Sequence, residues 1–180
     1  MNLFNKLLIL VGGERILADY QVFKKWHSKN FASLFLSLPE FRYLCFYRLK
    51  SRRKIFRILL KPFQLFNHHN LFITCNNIGG GLYIEHGFST IIACEKMGNN
   101  CMINQQVTIG WKSVIGNSVQ IRAGAFIKDH VVIGDDVIIG AHAVVLNDIP
   151  AHSVVVGVPA KIIKTRQSEL CAWGRSDSII

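Results

Sequence analysis

The chain has 180 residues, half of them hydrophobic and 18% charged, a composition that can bury a core and excludes wholesale disorder. Its formal charge of +10 is uneven: residues 1–70 hold 13 Lys and Arg against three acids (Glu14, Asp19, Glu40), whereas residues 71–180 hold eight of each sign. No long uncharged apolar run is present, and Glu14–Arg15 follow the apolar Met1–Val11 where a cleavage site would need small residues. Neither a membrane span nor a signal peptide is expected, which points to the cytoplasm.

Residues 1–70 are expected to be α-helical. Phe31–Leu38 and Phe41–Lys50 carry apolar residues at helical spacing, and Pro39 marks a break between them. Arg52, Arg53, Lys54, Arg57 and Lys61 alternate with Ile55, Phe56, Ile58, Leu59, Leu60 and Phe63, a basic amphipathic pattern suited to loose contact with anionic membrane. Three or four helices capping a repeat array would suit this region.

From residue 97 the chain repeats every six residues. Met97, Ile103, Ile109, Ile115, Ile121, Ile127, Ile133, Ile139 and Val145 form one unbroken series. Small or β-branched residues recur four positions later, and glycine follows the aliphatic at 98, 110, 116, 134 and 140. A six-residue unit makes a short strand and a corner, and three units close a triangular coil whose aliphatics stack inward. The glycines are expected to serve corners that need positive φ or close chain approach. Upstream, Ile84 and Ile78 keep the register, but the step from Ile84 to Met97 is 13 rather than 12, so one residue should bulge within Gly87–Cys94. The predicted fold is mainly β, a parallel β-helix of about five coils over residues 71–166, with a tail over 167–180. The five cysteines are odd in number and match no zinc-ligand spacing, so they read as buried thiols of a reducing compartment.

Within this frame His86 stands beside an inward position, at the start of the bulged turn. Imidazole titrates near neutrality and can take a proton from an attacking hydroxyl. Gln105 lies 19 residues on, one coil plus the bulge, and should stack one strand spacing away, ~4.8 Å, to orient substrate or polarise a carbonyl. Glu85 precedes His86 and should point to the opposite face. His130 and His142 fall out of register with His86, so no zinc site is expected.

The stretches Gly79–Ser89, Met102–Gly110 and Asn147–Lys161 resemble the active-site and closing coils of hexapeptide-repeat acyltransferases, both serine acetyltransferases and the shorter acetyltransferases of bacterial capsule and exopolysaccharide clusters. A weaker likeness runs through Pro39-Glu-Phe-Arg-Tyr43 and Tyr47-Arg48. The resemblance implies a left-handed β-helix, a homotrimer with sites at subunit boundaries, acetyl-CoA as co-substrate and direct transfer with His86 as general base. It implies a cofactor groove beside Ala123, Gly124, Ala141 and the Gly157-Val-Pro-Ala160 turn, where Lys161, Lys164 and Arg166 could pair with cofactor phosphates. Glu85 and Trp111 are candidate acceptor contacts. Metal and nucleic acid are not expected.

Two departures bear on the acceptor. The Asp-Ile-His segment of serine acetyltransferases aligns with Leu71-Phe72-Ile73, so the carboxylate that pairs with the histidine is missing, and Ile109-Gly110 runs into Ile115-Gly116 without the His-bearing loop. The expected activity is therefore O-acetylation of a sugar hydroxyl in surface polysaccharide synthesis. The alternatives are serine O-acetylation in cysteine biosynthesis and a non-catalytic scaffold.

Overall fold

The computed structural model describes residues 10, 13–52, 70–167 and 174–175. Three helices come first: α1 (Glu14–His27), α2 (Phe31–Ser37) and α3 (Pro39–Arg52). Asn30 caps α2 by accepting from the Ser33 N–H at 2.9 Å, and Pro39 opens α3, where its missing N–H costs nothing. The basic alternation of Arg53–Lys61 and the thiol of Cys171 lie outside the described residues, as does most of the tail. Among the described residues no helix is long and apolar enough to cross a membrane.

Short strands then follow in a three-beat cycle. The first coil has β1 (Leu71–Ile73), β2 (Asn77–Ile78) and β3 (Tyr83–Ile84), and the second β4 (Thr90–Ile92), β5 (Lys96–Met97) and β6 (Met102–Ile103). The third has β7 (Thr108–Ile109), β8 (Val114–Ile115) and β9 (Gln120–Ile121), and the fourth β10 (Phe126–Ile127), β11 (Val132–Ile133) and β12 (Ile138–Ile139). A fifth coil holds β13 (Val144–Val145), a bridge from Ile149 to Ile133, and β14 (Ser153–Val156). Strands pair in parallel with their counterparts one coil on, giving a triangular solenoid with three sheets. β15 (Lys161–Thr165) turns back antiparallel on β14 and is joined by β16 (Gly174–Arg175).

The periodic aliphatics do form the core. Ile78, Met97, Ile115 and Ile133 stack behind one sheet, and Ile84, Ile103, Ile121, Ile139 and Val155 behind another, all buried. Burying each such side chain is worth about 1.5–3 kcal/mol, which lets two-residue strands persist. Cys45, Cys75, Cys94 and Cys101 are free and buried among them.

Two local expectations are corrected. Ile84 pairs with Ile103 and Ile73 with Ile92, each 19 residues on, but Ile92 pairs with Ile109, only 17 on. Two extra residues therefore enter between Ile84 and Ile92, and one is withdrawn before Met97. The corner glycines at 98, 110, 116, 134 and 140 do not carry positive φ; Asn100, Lys112, Ser118, Asp136 and His142 do, two residues later. Those glycines are needed for close approach instead: a Cβ on Gly110 would stand 2.5 Å from the Asp129 nitrogen.

The helices dock on the first coil and share its core, through Phe23, Leu34, Phe41 and Leu44. Phe23 meets Phe41 and Tyr83 with ring centroids 4.9 and 4.8 Å apart. At the centre of the junction Arg48 pairs with Asp19 at 2.8 Å, both almost fully buried. Arg48 also donates to the Ile78 and Gly79 carbonyls at 2.7 and 2.6 Å, and Asp19 accepts from the Leu82 N–H at 2.9 Å. Burial raises the Asp19 carboxyl above its ordinary range, against the pull of Arg48 and the Leu82 N–H. Replacing Asp19 by Ala strands a buried guanidinium, so denaturant unfolding should show a loss of about 3–5 kcal/mol. A change within about 0.5 kcal/mol, as for an ordinary surface site, would contradict this view of the junction.

Candidate active site

The edge between the third strand of each coil and the first strand of the next carries most of the candidate residues. His86 leaves β3 with φ 53, a left-handed turn, and Ser89 repeats it at φ 52 before β4 begins. The alternation expected to send Glu85 and His86 to opposite faces ends there. Both side chains line one small cavity of about 110 Å³, together with Phe23, His27, Leu38, Glu40, Tyr83 and Ile84.

Below His86 the same edge descends coil by coil. Gln106 donates its N–H to the Phe88 carbonyl at 3.0 Å, Gly124 to Gln105 at 3.0 Å, and His142 to Ala123 at 2.9 Å. Phe88, Gln105, Ala123 and Ala141 therefore stack in one row, each step one strand spacing, ~4.8 Å, and His86 stands on the same edge within the bulge, two residues before Phe88. Gly157 closes the row, accepting from Val144 at 3.0 Å, and Lys161 follows at the start of β15. Lys161 and Lys164 are exposed. Gly124 has φ 70, and an added Cβ would lie 2.4 Å from His142 Nδ1, so the glycine makes room for the His142 ring that packs over this rung.

Two other candidates stand elsewhere in the chain. Trp111 is at the edge after β7, 57% exposed, edge-on to His130 and beneath the Lys112 ammonium. Arg166 sits on the remaining edge, where it and His152 hold the Asp136 carboxylate. Burial pushes Asp136 up, but hydrogen bonds and charge from Arg166 and His152 outweigh it and hold the group below the usual carboxylate range. Neither residue shares the His86 edge within one chain.

Around His86 the structure adds groups that the six-residue period could not reveal. His27 on α1 lies 3.2 Å from the Tyr83 hydroxyl, and the exposed Trp26 stacks on the Tyr83 ring. Burial, with the Glu85 and Glu40 carboxylates adding, pushes the Tyr83 hydroxyl up to about 12, so it remains a neutral donor near pH 7. Glu85 accepts from Asn104 Nδ2 at 2.7 Å, while Asn104 Oδ1 and Gln105 Oε1 are buried without a hydrogen-bond partner among the described residues. Glu40 enters from the first turn of α3. The Pro39–Tyr43 likeness was the only trace of it in the sequence. Among the described residues no cluster of three or more His, Cys, Asp or Glu has metal-ligand geometry.

The comparisons with known proteins agree with this architecture. Residues 112–147 match the bacterial transferase hexapeptide (six repeats) pattern, so the chain is a hexapeptide-repeat protein built as a parallel β-solenoid. It is similar to a serine acetyltransferase of Synechococcus elongatus, 30% identical over 76% of this chain and 62% of that protein. A serine acetyltransferase of Helicobacter pylori strain J99 is 40% identical over 48% of this chain and 56% of its own. The soybean serine acetyltransferase apoenzyme superposes with a TM-score of 0.69 at 25% identity, covering 86% of this chain and 69% of that one. The fold also matches a serine acetyltransferase solved in complex with CoA, with a TM-score of 0.68 at 23% identity, covering 89% of this chain and 73% of that one. The chain spans less than two thirds of the length of these curated relatives.

Gly87, the residue after His86, is where the helices and the edge meet. A Cβ there would lie 2.6 Å from Ile84 Cγ2, 3.3 Å from Glu40 Cγ and 3.4 Å from Leu71 Cδ2. Gly87→Ala should therefore cost about 1–3 kcal/mol by overpacking, read as a lowered denaturant midpoint. An unchanged midpoint would show that the junction has slack the structure does not have.

Proposed function

We propose that this protein is an O-acetyltransferase that uses acetyl-CoA as co-substrate, with His86 as general base. The observation that carries the reading is that His86, in the bulge between β3 and β4, shares one edge of the solenoid with Gln105, Ala123–Gly124, Ala141 and Gly157. Small residues beneath a histidine leave room for an extended thioester whose reactive end reaches the imidazole. His86 removes the proton as the acceptor oxygen attacks the thioester carbonyl, giving a tetrahedral oxyanion. Collapse expels the thiolate, which takes the proton back from the imidazolium. Gln105 stands one coil below, where its amide can orient the thioester. Lys161 and Lys164 offer charge to the cofactor phosphates at the far end of the row. Arg166, engaged with Asp136, has its charge already answered.

For the acceptor, the hydroxyl of L-serine is the first reading. The named relatives are serine acetyltransferases, and Glu85 beside His86 provides a carboxylate for an ammonium group. A sugar hydroxyl is the second reading, favoured by one observation: β7 reaches β8 through Gly110–Ser113 alone, which leaves the site without an enclosing loop. Trp111 then serves acceptor binding only from a neighbouring subunit. A homotrimer is proposed on the first sheet's outer face, where Phe72, Ile91 and Phe126 are 57%, 41% and 41% exposed and Thr108 stands between the last two.

His86→Ala should lower kcat by about 10²–10⁴-fold, the usual loss for a general base, with unfolding unchanged. Thiol release from acetyl-CoA with L-serine and with a panel of sugars is the assay. Near-normal turnover in the folded variant would remove His86 from the chemistry. Sedimentation should give a trimer, and an active monomer would refute the subunit-boundary site.

A further inference from the structure

A general-base histidine needs a fixed ring plane and one dominant tautomer, and a carboxylate against its far nitrogen commonly supplies both. The position where serine acetyltransferases carry that carboxylate holds Leu71 here, which is buried. The hydrocarbon leaves no acceptor on the solenoid strand itself. Yet the point just beyond His86 is touched from two sides at once. An ideal Cβ on Gly87 would meet Leu71 Cδ2 at 3.4 Å and Glu40 Cγ at 3.3 Å. The carboxyl group of Glu40 begins one bond beyond that atom, and Glu40 and His86 line the same cavity of about 110 Å³.

The neighbouring candidates are already engaged. Glu85 is bonded to Asn104, Asp19 to Arg48 and Leu82, and His27 to Tyr83. Glu40 is half-buried, and no hydrogen bond or ion pair occupies its carboxylate among the described residues.

We propose that Glu40, delivered by helix α3, is the positioning carboxylate for His86, taking over from the helical cap a role that Leu71 cannot fill. This rests on the reading of His86 as the base. It makes the helices part of the active site and ties ring orientation to their docking. Glu40 touches neither acceptor nor thioester; it acts through the ring.

The test combines kinetics with a measurement that needs no turnover. Glu40→Gln should lower kcat by about 10–100-fold, as loss of an outer partner of a functional histidine does, with KM for acetyl-CoA little changed. The unfolding midpoint should stay in place, because the amide is nearly isosteric. In a His86→Ala background the same substitution should have no further effect, since the two act as one unit. Independently, the ring ¹⁵N resonances of His86, assigned by their loss in His86→Ala, should show one dominant tautomer in the parent protein and a mixture in Glu40→Gln. Unchanged tautomer populations, or a kcat loss that persists undiminished in the His86→Ala background, would overturn the proposal. Should His86→Ala retain full turnover, the general-base reading fails by itself, and the tautomer measurement still decides whether Glu40 holds the ring.

Discussion

An open solenoid has two ends, and each end exposes a coil of unpaired backbone groups. At the first coil these groups are met by side chains from the helices. Arg48 covers the carbonyls of Ile78 and Gly79, Tyr47 donates to the carbonyl of Cys75 at 2.6 Å, and Asp19 takes the Leu82 N–H while neutralising Arg48. A buried ion pair gains little over a hydrophobic replacement, because desolvation consumes most of its Coulomb energy. Here it does something an apolar pair could not do, since it satisfies backbone donors and acceptors that would otherwise be buried and orphaned.

The consequence for function lies a few residues away. Docking at Ile78–Leu82 holds α1 and α3 against β3, the strand that leads into Glu85 and His86. Gly80 permits the approach, since an added Cβ would stand 2.9 Å from Ala18 Cβ. Phe23 then packs between Tyr83 and Phe41, and Glu40, next to Phe41 on α3, arrives over Gly87. The cap that seals the solenoid thus also walls the cavity at His86. At the other end, β15 folds back on β14, and the Asp136–His152–Arg166 cluster fastens it. That return brings the Gly157 turn to the foot of the His86 row.

What could be read from the residues depends on where periodicity operates. Ile103, Ile109 and Ile115 differ in neighbours but share one environment, so the repeat names the core, the coil length and the edge on which Gln105, Gly124 and Ala141 fall. The bulge after Ile84 was visible as a register error. Its division into two insertions and one withdrawal was not, because Ile92 is displaced from the series and only pairing reveals it. Glycine was expected to carry the left-handed corners, but they fall on Asn100, Asp136 and His142, residue types that adopt this region more readily than most, and also on Lys112 and Ser118. Asp19, Arg48 and Glu40 sit on short helices with no internal repeat. The partners of Asp19 and Arg48 lie 29 or more residues away, and spacing carries no information at that range.

The central claim is that the reacting carbonyl is brought to His86 at the seam between helical cap and solenoid. It is tested most directly by a crystal structure of the protein with a non-transferable acetyl-CoA analogue. The account predicts an analogue lying along the Gly124–Gly157 row, with its carbonyl carbon close enough for an acceptor oxygen to sit about 3–3.5 Å from it and within hydrogen-bond reach of the His86 ring. An analogue bound on another edge, with the His86 cavity untouched, would contradict it.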